Sequence, residues 1–137
     1  MKWRDGWALA LAALLAIAGV AHFVSPDSFD GIVPHVLPLP ERFWTTVSGI
    51  VELGLAAGVA WPRTRRWAAT FATVFFVLVF PANVQMAVDW ASRPTSEFVV
   101  ALFRLPLQLP LIWWAWHVRT RAASPAPPAP AEHLPAA

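Results

Sequence analysis

Residues 67–88 read WAATFATVFFVLVFPANVQMAV, a run of 22 residues without a charged side chain. An α-helix rises about 1.5 Å per residue, so this run is about 33 Å long and covers the roughly 30 Å hydrocarbon core of a bilayer. A stretch of this length and apolarity predicts a transmembrane helix. It is the most apolar part of the chain, and the rest of the fold is predicted around it.

Three further apolar segments have similar lengths: residues 7–24, 43–61 and 98–118. The last of them contains Pro106 and Pro110, which a membrane-spanning helix tolerates because neighbouring helices satisfy the freed carbonyls. The sequence shows neither the alternating pattern of strands nor an internal repeat. It therefore predicts an all-α fold, a polytopic membrane four-helix bundle over residues 1–121.

The composition supports a membrane protein and excludes several other classes. Of the 137 residues, 58% are hydrophobic and 13% are charged, and the mean hydropathy is +0.54, whereas soluble domains carry about 25% charged residues. The net charge of +2 comes without a basic run longer than two residues, which argues against a nucleic-acid partner. The absence of cysteine excludes disulfide exchange, thiolate catalysis and cysteine-bound metals for this chain.

Basic residues predict the orientation in the membrane. Seven flank one side of the four segments and two flank the other: Lys2, Arg4, Arg63, Arg65, Arg66, Arg119 and Arg121 against Arg42 and Arg93. The side richer in Lys and Arg faces the cytoplasm, so both termini are expected there. A single lysine among ten basic residues, with abundant alanine and proline, is typical of a GC-rich genome and predicts a bacterial inner-membrane protein.

A cleaved signal peptide is the alternative interpretation of residues 7–24. Lys2 and Arg4 precede this apolar run, and Gly19-Val20-Ala21 resembles a cleavage site. Cleavage would leave three helices and place the termini on opposite faces of the membrane.

The longest link joins the first two segments and faces outside in this topology. Ser25 followed by Pro26 predicts a helix start, with a capping side chain and then a first-turn proline. Phe29, Ile32 and Val33 fall on one face of the helix that follows. A short interfacial helix is therefore expected in this first outer loop.

The C-terminal tail has a different character. Residues 122–137 contain five prolines and seven alanines and lack a periodic apolar face. Such a composition cannot build a packed core, so this tail is expected to be disordered in the cytoplasm.

A small group of polar residues lies inside the predicted bilayer: His22, Glu52, Asn83, Arg104 and Gln108. Glu52 is nine residues, about 13 Å, from the outer end of its segment, and Arg104 is six residues, about 9 Å, from the outer end of its own. Gln108 lies one turn below Arg104 on the same face. Charged groups in hydrocarbon cost roughly 2.5–3.5 kcal/mol and usually face a partner or a cavity, so these five are the candidate ligand-binding residues.

Three interpretations of this group stay open. One is a pocket that opens to the outside, in which Arg104 holds an anion or a quinone carbonyl. Another is a structural Glu52–Arg104 ion pair capped by Asn83, for which Arg104→Ala would destabilise more than Arg104→Ala combined with Glu52→Ala. The last is proton-transfer chemistry by Glu52 and His22. The spacing of the histidines predicts neither a metal site nor a catalytic set.

Gly54 and Gly58 form a Gly-x-x-x-Gly spacing within the second segment. This spacing favours the close approach of a neighbouring helix. We expect that neighbour to belong to the same bundle, and a dimer face of a homo-oligomer is the alternative.

Several motifs resemble the DoxX-like family of small bacterial membrane proteins. They are His22-Phe23 followed by Pro26, Phe29, Ile32-Val33-Pro34, Pro38 and Pro40; Ser48-Gly49 with Glu52-Leu53; Phe80-Pro81-Ala82-Asn83 with Met86-Ala87; and Arg104-Leu105-Pro106-Leu107-Gln108 leading to Trp114-Ala115-Trp116. The resemblance covers about residues 8–118 and implies a four-helix membrane bundle. Because the family name comes from a membrane subunit of a thiosulfate:quinone oxidoreductase, it also implies a redox-linked setting, without any established catalytic residues.

These observations lead to an expected function. The leading hypothesis is a non-catalytic membrane subunit or scaffold for a partner protein, with a redox enzyme as the candidate partner. The alternative is a binder of a quinone or another lipophilic small molecule in the outer polar pocket. A small transporter ranks below both, because four helices make a narrow bundle and no paired discontinuous helices are predicted.

Overall fold

In the computed structural model the described residues are 3–92 and 94–123, and most of them are helical. The elements are α1 (Trp3–Val24), α2 (Asp27–Asp30), α3 (Glu41–Ala60), α4 (Arg65–Asp89) and α5 (Thr95–Ala123), with a 3₁₀ turn at Trp90–Ser92. Neither described range contains a β-strand, and the predicted all-α class is confirmed. Lys2, Arg93 and residues 124–137 of the predicted disordered tail lie outside the described residues.

Three helices, α1, α3 and α4, are long and apolar enough to cross a membrane. They correspond to the first three predicted segments. Their outward-facing side chains are also apolar, since Ile17 is 70% exposed and Leu78 is 71% exposed. An extended apolar surface of this kind suits lipid rather than water. The fourth predicted segment lies within α5, and its crossing of the membrane stays a prediction.

The long helices pack in two main pairs. Helix α1 lies against α3 and α4 lies against α5, while α3 and α4 join the pairs and α1 makes only a sparse contact with α5. Two glycines allow α1 and α3 to cross closely. A Cβ atom at Gly19 would lie 2.9 Å from Leu53 Cγ, and one at Gly49 would lie 2.9 Å from His22 Cβ. Small residues at such positions let helix backbones approach in a membrane protein.

Of Gly54 and Gly58, only Gly58 lies where another described helix comes close. A Cβ atom at Gly58 would lie 2.7 Å from the Cβ of Ala68, so α4 of the same chain approaches α3 closely there. A Cβ atom at Gly54 would meet no described atom within 4 Å. The expected close approach within one chain is therefore confirmed at Gly58, and the helix surface at Gly54 is open.

Two apolar clusters form the interior, and polar residues lie between them. The larger cluster joins α1, α3, α4 and α5 and includes Leu11, Leu15, Leu55, Val59, Ala69, Ala72, Phe76, Ala115 and Val118. The smaller one contains Met86, Ala87 and Ala101. Along α4, Asn83 lies between Phe76 and Met86, and Gln108 has the same intermediate place along α5. The buried polar residues Asn83 and Gln108 thus lie between the two apolar clusters.

The expected helix in the first outer loop is present as the single turn of α2. Its predicted cap is not formed, because no side chain caps α2. The Ser25 hydroxyl lies 2.8 Å from the Ser28 hydroxyl instead. The backbone turn, in which Ser28 N donates to Ser25 O, brings the two hydroxyls together and takes the capping oxygen away from the helix amides.

Candidate functional site

The close crossing of α1 and α3 places His22 against Glu52. The His22 Nδ1 atom lies 3.2 Å from Glu52 Oε2, and the two side chains are 11% and 10% exposed. The same Nδ1 lies 2.8 Å from the carbonyl oxygen of Ala18. Because a carbonyl oxygen only accepts, Nδ1 carries a proton and donates it to Ala18. Glu52 Oε2 is buried and, in the described part of the chain, accepts no hydrogen bond of good geometry.

Phe29 of the outer loop covers His22. The two rings stack with centroids 3.9 Å apart and an angle of 26° between their planes. Arg42 at the start of α3 holds α2 in place, with its Nε 2.8 Å from Asp30 Oδ2 and its terminal nitrogen bonded to Asp27. The loop therefore forms an outer cover over the His22–Glu52 contact.

The direct ion pair expected between Glu52 and Arg104 is not formed. The acid lies against His22, and salt bridges in the described ranges include none between Glu52 and Arg104. Arg104 is partly buried, and its terminal nitrogen contacts Met86 Sδ at 3.7 Å, a weak acceptor. Its charge still acts on both His22 and Glu52 through space. The helices α3 and α5 are not directly paired, which explains why these two side chains do not meet.

Asn83 and Gln108 form a separate polar pair that joins α4 to α5. Asn83 Nδ2 donates to Gln108 Oε1 at 3.1 Å, and Gln108 Nε2 donates to the carbonyl oxygen of Phe76 at 2.5 Å. Pro81 lies within α4 five residues after Phe76 and, because it lacks an N–H, leaves a carbonyl of the preceding turn without its helix hydrogen bond. Asn83 Nδ2 and both polar atoms of the Gln108 amide thus have partners within the protein, and the pair links α4 to α5.

Sequence reasoning missed Thr45, a buried polar residue two helical turns before Glu52 on α3. Its side chain is almost fully buried, and its Oγ1 has no hydrogen-bond partner among the described residues. Thr45 lies seven residues before Glu52, which places the two on the same face of α3. That spacing was visible in the sequence and could have identified Thr45.

Arg65, a second partly buried arginine, has hydrogen-bond partners for all three of its side-chain nitrogens. At the other end of the helices, Arg65 donates to Asp5 Oδ1 at 2.7 Å and to the carbonyl oxygens of Val59 and Ala60 at 3.0 and 3.3 Å. Its side chain is 12% exposed. Arg65 thus ties α1 to the end of α3, and it has few donors left for any other molecule.

The outer cluster, defined here as His22, Thr45, Glu52 and Arg104, combines donors and acceptors that are only partly used. Glu52 Oε2 and Thr45 Oγ1 can accept hydrogen bonds, and the Arg104 guanidinium has five N–H donors. Among residues 3–92 and 94–123, no group of three or more His, Asp or Glu side chains is placed to hold a metal ion. The arrangement suits the binding of a small uncharged or anionic head group.

Comparison with known proteins identifies a family but no activity. A model of a domain of unknown function, DUF8561, matches residues 11–119, which include all of α3 and α4 and most of α1 and α5. No curated protein and no solved structure matches the chain. The resemblance to the DoxX-like family stays a prediction.

Proposed function

Since the chain belongs to the DUF8561 family, whose function is unknown, we propose its role from geometry: it is an integral membrane protein that binds a small lipophilic molecule in its outer cluster. In this proposal all four long helices cross a bacterial inner membrane, and both termini are cytoplasmic. Helix α5 has 29 residues and a length of about 43 Å, which is ample for a crossing.

The observation that carries the ligand proposal is that Arg104 has no carboxylate partner among the described residues, while Glu52 contacts His22 and keeps one oxygen without a hydrogen bond. A charge in hydrocarbon normally has a close partner of opposite sign. Here the guanidinium contacts a sulfur atom, and one carboxylate oxygen is buried without a hydrogen bond in the described chain. A purely structural pair would gain by closing, whereas a binding site keeps its groups available for a ligand.

A quinone is the ligand class that fits these groups best. Its carbonyl oxygens accept hydrogen bonds from the Arg104 guanidinium, and the hydroxyl of its reduced form donates to Glu52 Oε2. Its apolar tail matches the lipid-facing surface. The sparse contact between α1 and α5 offers a path from the bilayer to the cluster.

Binding is tested with decylubiquinone and the full-length protein in lipid nanodiscs, using empty nanodiscs as the partition control. We expect saturable binding to the wild type. Glu52→Gln removes the charge at constant shape and should weaken the affinity about tenfold, since a hydrogen bond to a charged group is worth about 1.5–3 kcal/mol.

Glu41→Gln is the matched control, because it makes the same change on an exposed glutamate of the same helix. It should leave the affinity unchanged. Binding no greater than that of empty nanodiscs, or equal affinities for the Glu52 and Glu41 variants, would refute the ligand proposal.

A non-catalytic scaffold or membrane-subunit role is the second candidate. The pairing of Asn83 with Gln108 favours it, because two of the five candidate residues join helices rather than face a ligand. Gentle cross-linking in membranes followed by purification should then yield a stoichiometric partner. Recovery of the protein alone, together with saturable quinone binding, would decide for the ligand role.

A further inference from the structure

A second site lies at the end of the helices opposite the outer cluster. Gly6, Trp7 and Ala10 of α1 and Trp114 of α5 line an open groove of about 300 Å³. Trp114 Nε1 donates to Trp7 O at 3.1 Å, and the two indole rings meet edge to face with centroids 6.0 Å apart. The indole N–H of Trp114 is thus already used, and what faces the groove is apolar surface.

Small residues keep this groove open. A Cβ atom at Gly6 would meet no atom of the described chain within 4 Å. The groove follows the seam between α1 and α5, where the contact between the helices is sparse. A narrow apolar groove that opens sideways from a membrane helix pair suits one flexible hydrocarbon chain.

The charges at this end of the molecule favour an anionic head group. The described side chains here include five arginines and one acid, a net charge of +4: Arg63, Arg65, Arg66, Arg119 and Arg121 against Asp5. The described side chains at the opposite end include four acids and one arginine, a net charge of −3: Asp27, Asp30, Glu41 and Asp89 against Arg42. An anion is therefore attracted to the end that holds the groove.

Two of these arginines lie against tryptophan rings. The Arg119 guanidinium carbon lies 4.2 Å from the ring centroid of Trp116, and that of Arg66 lies 5.9 Å from the ring centroid of Trp67. Tryptophan concentrates at the boundary between lipid tails and water, and basic residues nearby attract anionic lipids.

We propose that the groove lined by Gly6, Trp7, Ala10 and Trp114 holds an acyl chain of an anionic phospholipid, whose head group lies against the arginines at this end. The apolar groove binds the chain, and the net positive charge selects the head group. This site is separate from the outer cluster and does not depend on a ligand there.

The selectivity is tested by native mass spectrometry of the full-length protein in detergent, with phosphatidylglycerol and phosphatidylcholine of identical acyl chains as probes. We expect the wild type to bind phosphatidylglycerol about fivefold more tightly at low salt, with most of the difference lost near 0.5 M salt because the attraction is screened. Equal affinities for the two lipids at low salt would overturn the proposal.

The location is tested by filling the groove. Gly6→Phe places a ring where the structure has open space and should weaken phosphatidylglycerol binding about fivefold. Gly54→Phe is the matched control, since a Cβ there also meets no described atom within 4 Å but lies on another helix. Equal losses in the two variants would contradict the assignment of the groove.

A wild-type measurement makes the test independent of how the variants fold. Phosphatidylglycerol with a photoreactive diazirine in its acyl chain should label the Gly6–Ala10 turn and Trp114. Labels distributed evenly over exposed apolar positions such as Phe71 and Leu78, or cross-linked dimers that exclude the lipid, would overturn the proposal.

Discussion

Two partly buried arginines of this protein, Arg65 and Arg104, have opposite surroundings. Arg65 donates to a carboxylate and to two carbonyl oxygens, whereas Arg104 contacts a methionine sulfur and lies near an acid without pairing with it. In the described part of the chain, Arg65 is therefore held by the protein, whereas Arg104 has neither a carboxylate nor a carbonyl oxygen as a partner. The protein thus holds one partly buried arginine in a set of hydrogen bonds and leaves another without a carboxylate partner among the described residues. We propose that the second one is kept for a ligand.

The largest expected effect concerns how the outer cluster is positioned. Gly49→Val would place side-chain atoms within 3 Å of Phe23 and His22 and force α1 away from α3, at a cost of about 3 kcal/mol. Gly54→Val, on an open face of the same helix, should cost about 1 kcal/mol or less. The free energy of unfolding, measured by SDS titration in mixed micelles, gives both values, and equal costs would refute the close crossing.

The next effect compares the two arginines directly. Arg65→Gln loses most of three hydrogen bonds and should cost about 2 kcal/mol, since polar contacts in membrane proteins average about 0.6 kcal/mol each. Arg104→Gln should cost about 0.6 kcal/mol or less in the same assay. If the Arg104 variant were the less stable of the two, the distinction between an arginine held by hydrogen bonds and one without a carboxylate or carbonyl partner would fail.

A double-mutant cycle identifies the true partner of Glu52. Because His22 lies 3.2 Å from the carboxylate, His22→Ala and Glu52→Gln should show a coupling energy of about 1 kcal/mol. The coupling between Arg104→Gln and Glu52→Gln should be about half of that or less. A larger coupling to Arg104 would restore the ion pair that the sequence predicts.

The smallest expected effect comes from the outer cover. Phe29→Ala removes the ring stacked on His22 and should cost about 0.5–1.5 kcal/mol in stability. It should also speed the release of decylubiquinone from the outer cluster, which stopped-flow exchange into empty nanodiscs would detect. An unchanged release rate would show that the cover does not limit access to the cluster.

The sequence predicts the helices well because apolar length is a local property of the chain. The first three predicted segments lie within α1, α3 and α4, apart from Trp61 just after α3, and the short outer helix is present. Depth along a helix is also local, and it placed Glu52 and Arg104 in the same half of the predicted bilayer. An ion pair between them was therefore one of three interpretations. Whether two side chains at one depth meet depends on helix rotation and on which helices are neighbours. The glycines at 19 and 49 set both for α1 and α3, and a hydropathy pattern does not contain that information.

The most direct test of the ligand proposal is a crystal structure of the protein with decylubiquinone, from crystals grown in a lipidic phase. It would give the distance between the Glu52 carboxylate and the Arg104 guanidinium. We predict that these two groups stay farther apart than the 4.0 Å limit of an ion pair, with the quinone head group between them. A direct Glu52–Arg104 ion pair with packed side chains and no ligand beside it would contradict the central claim.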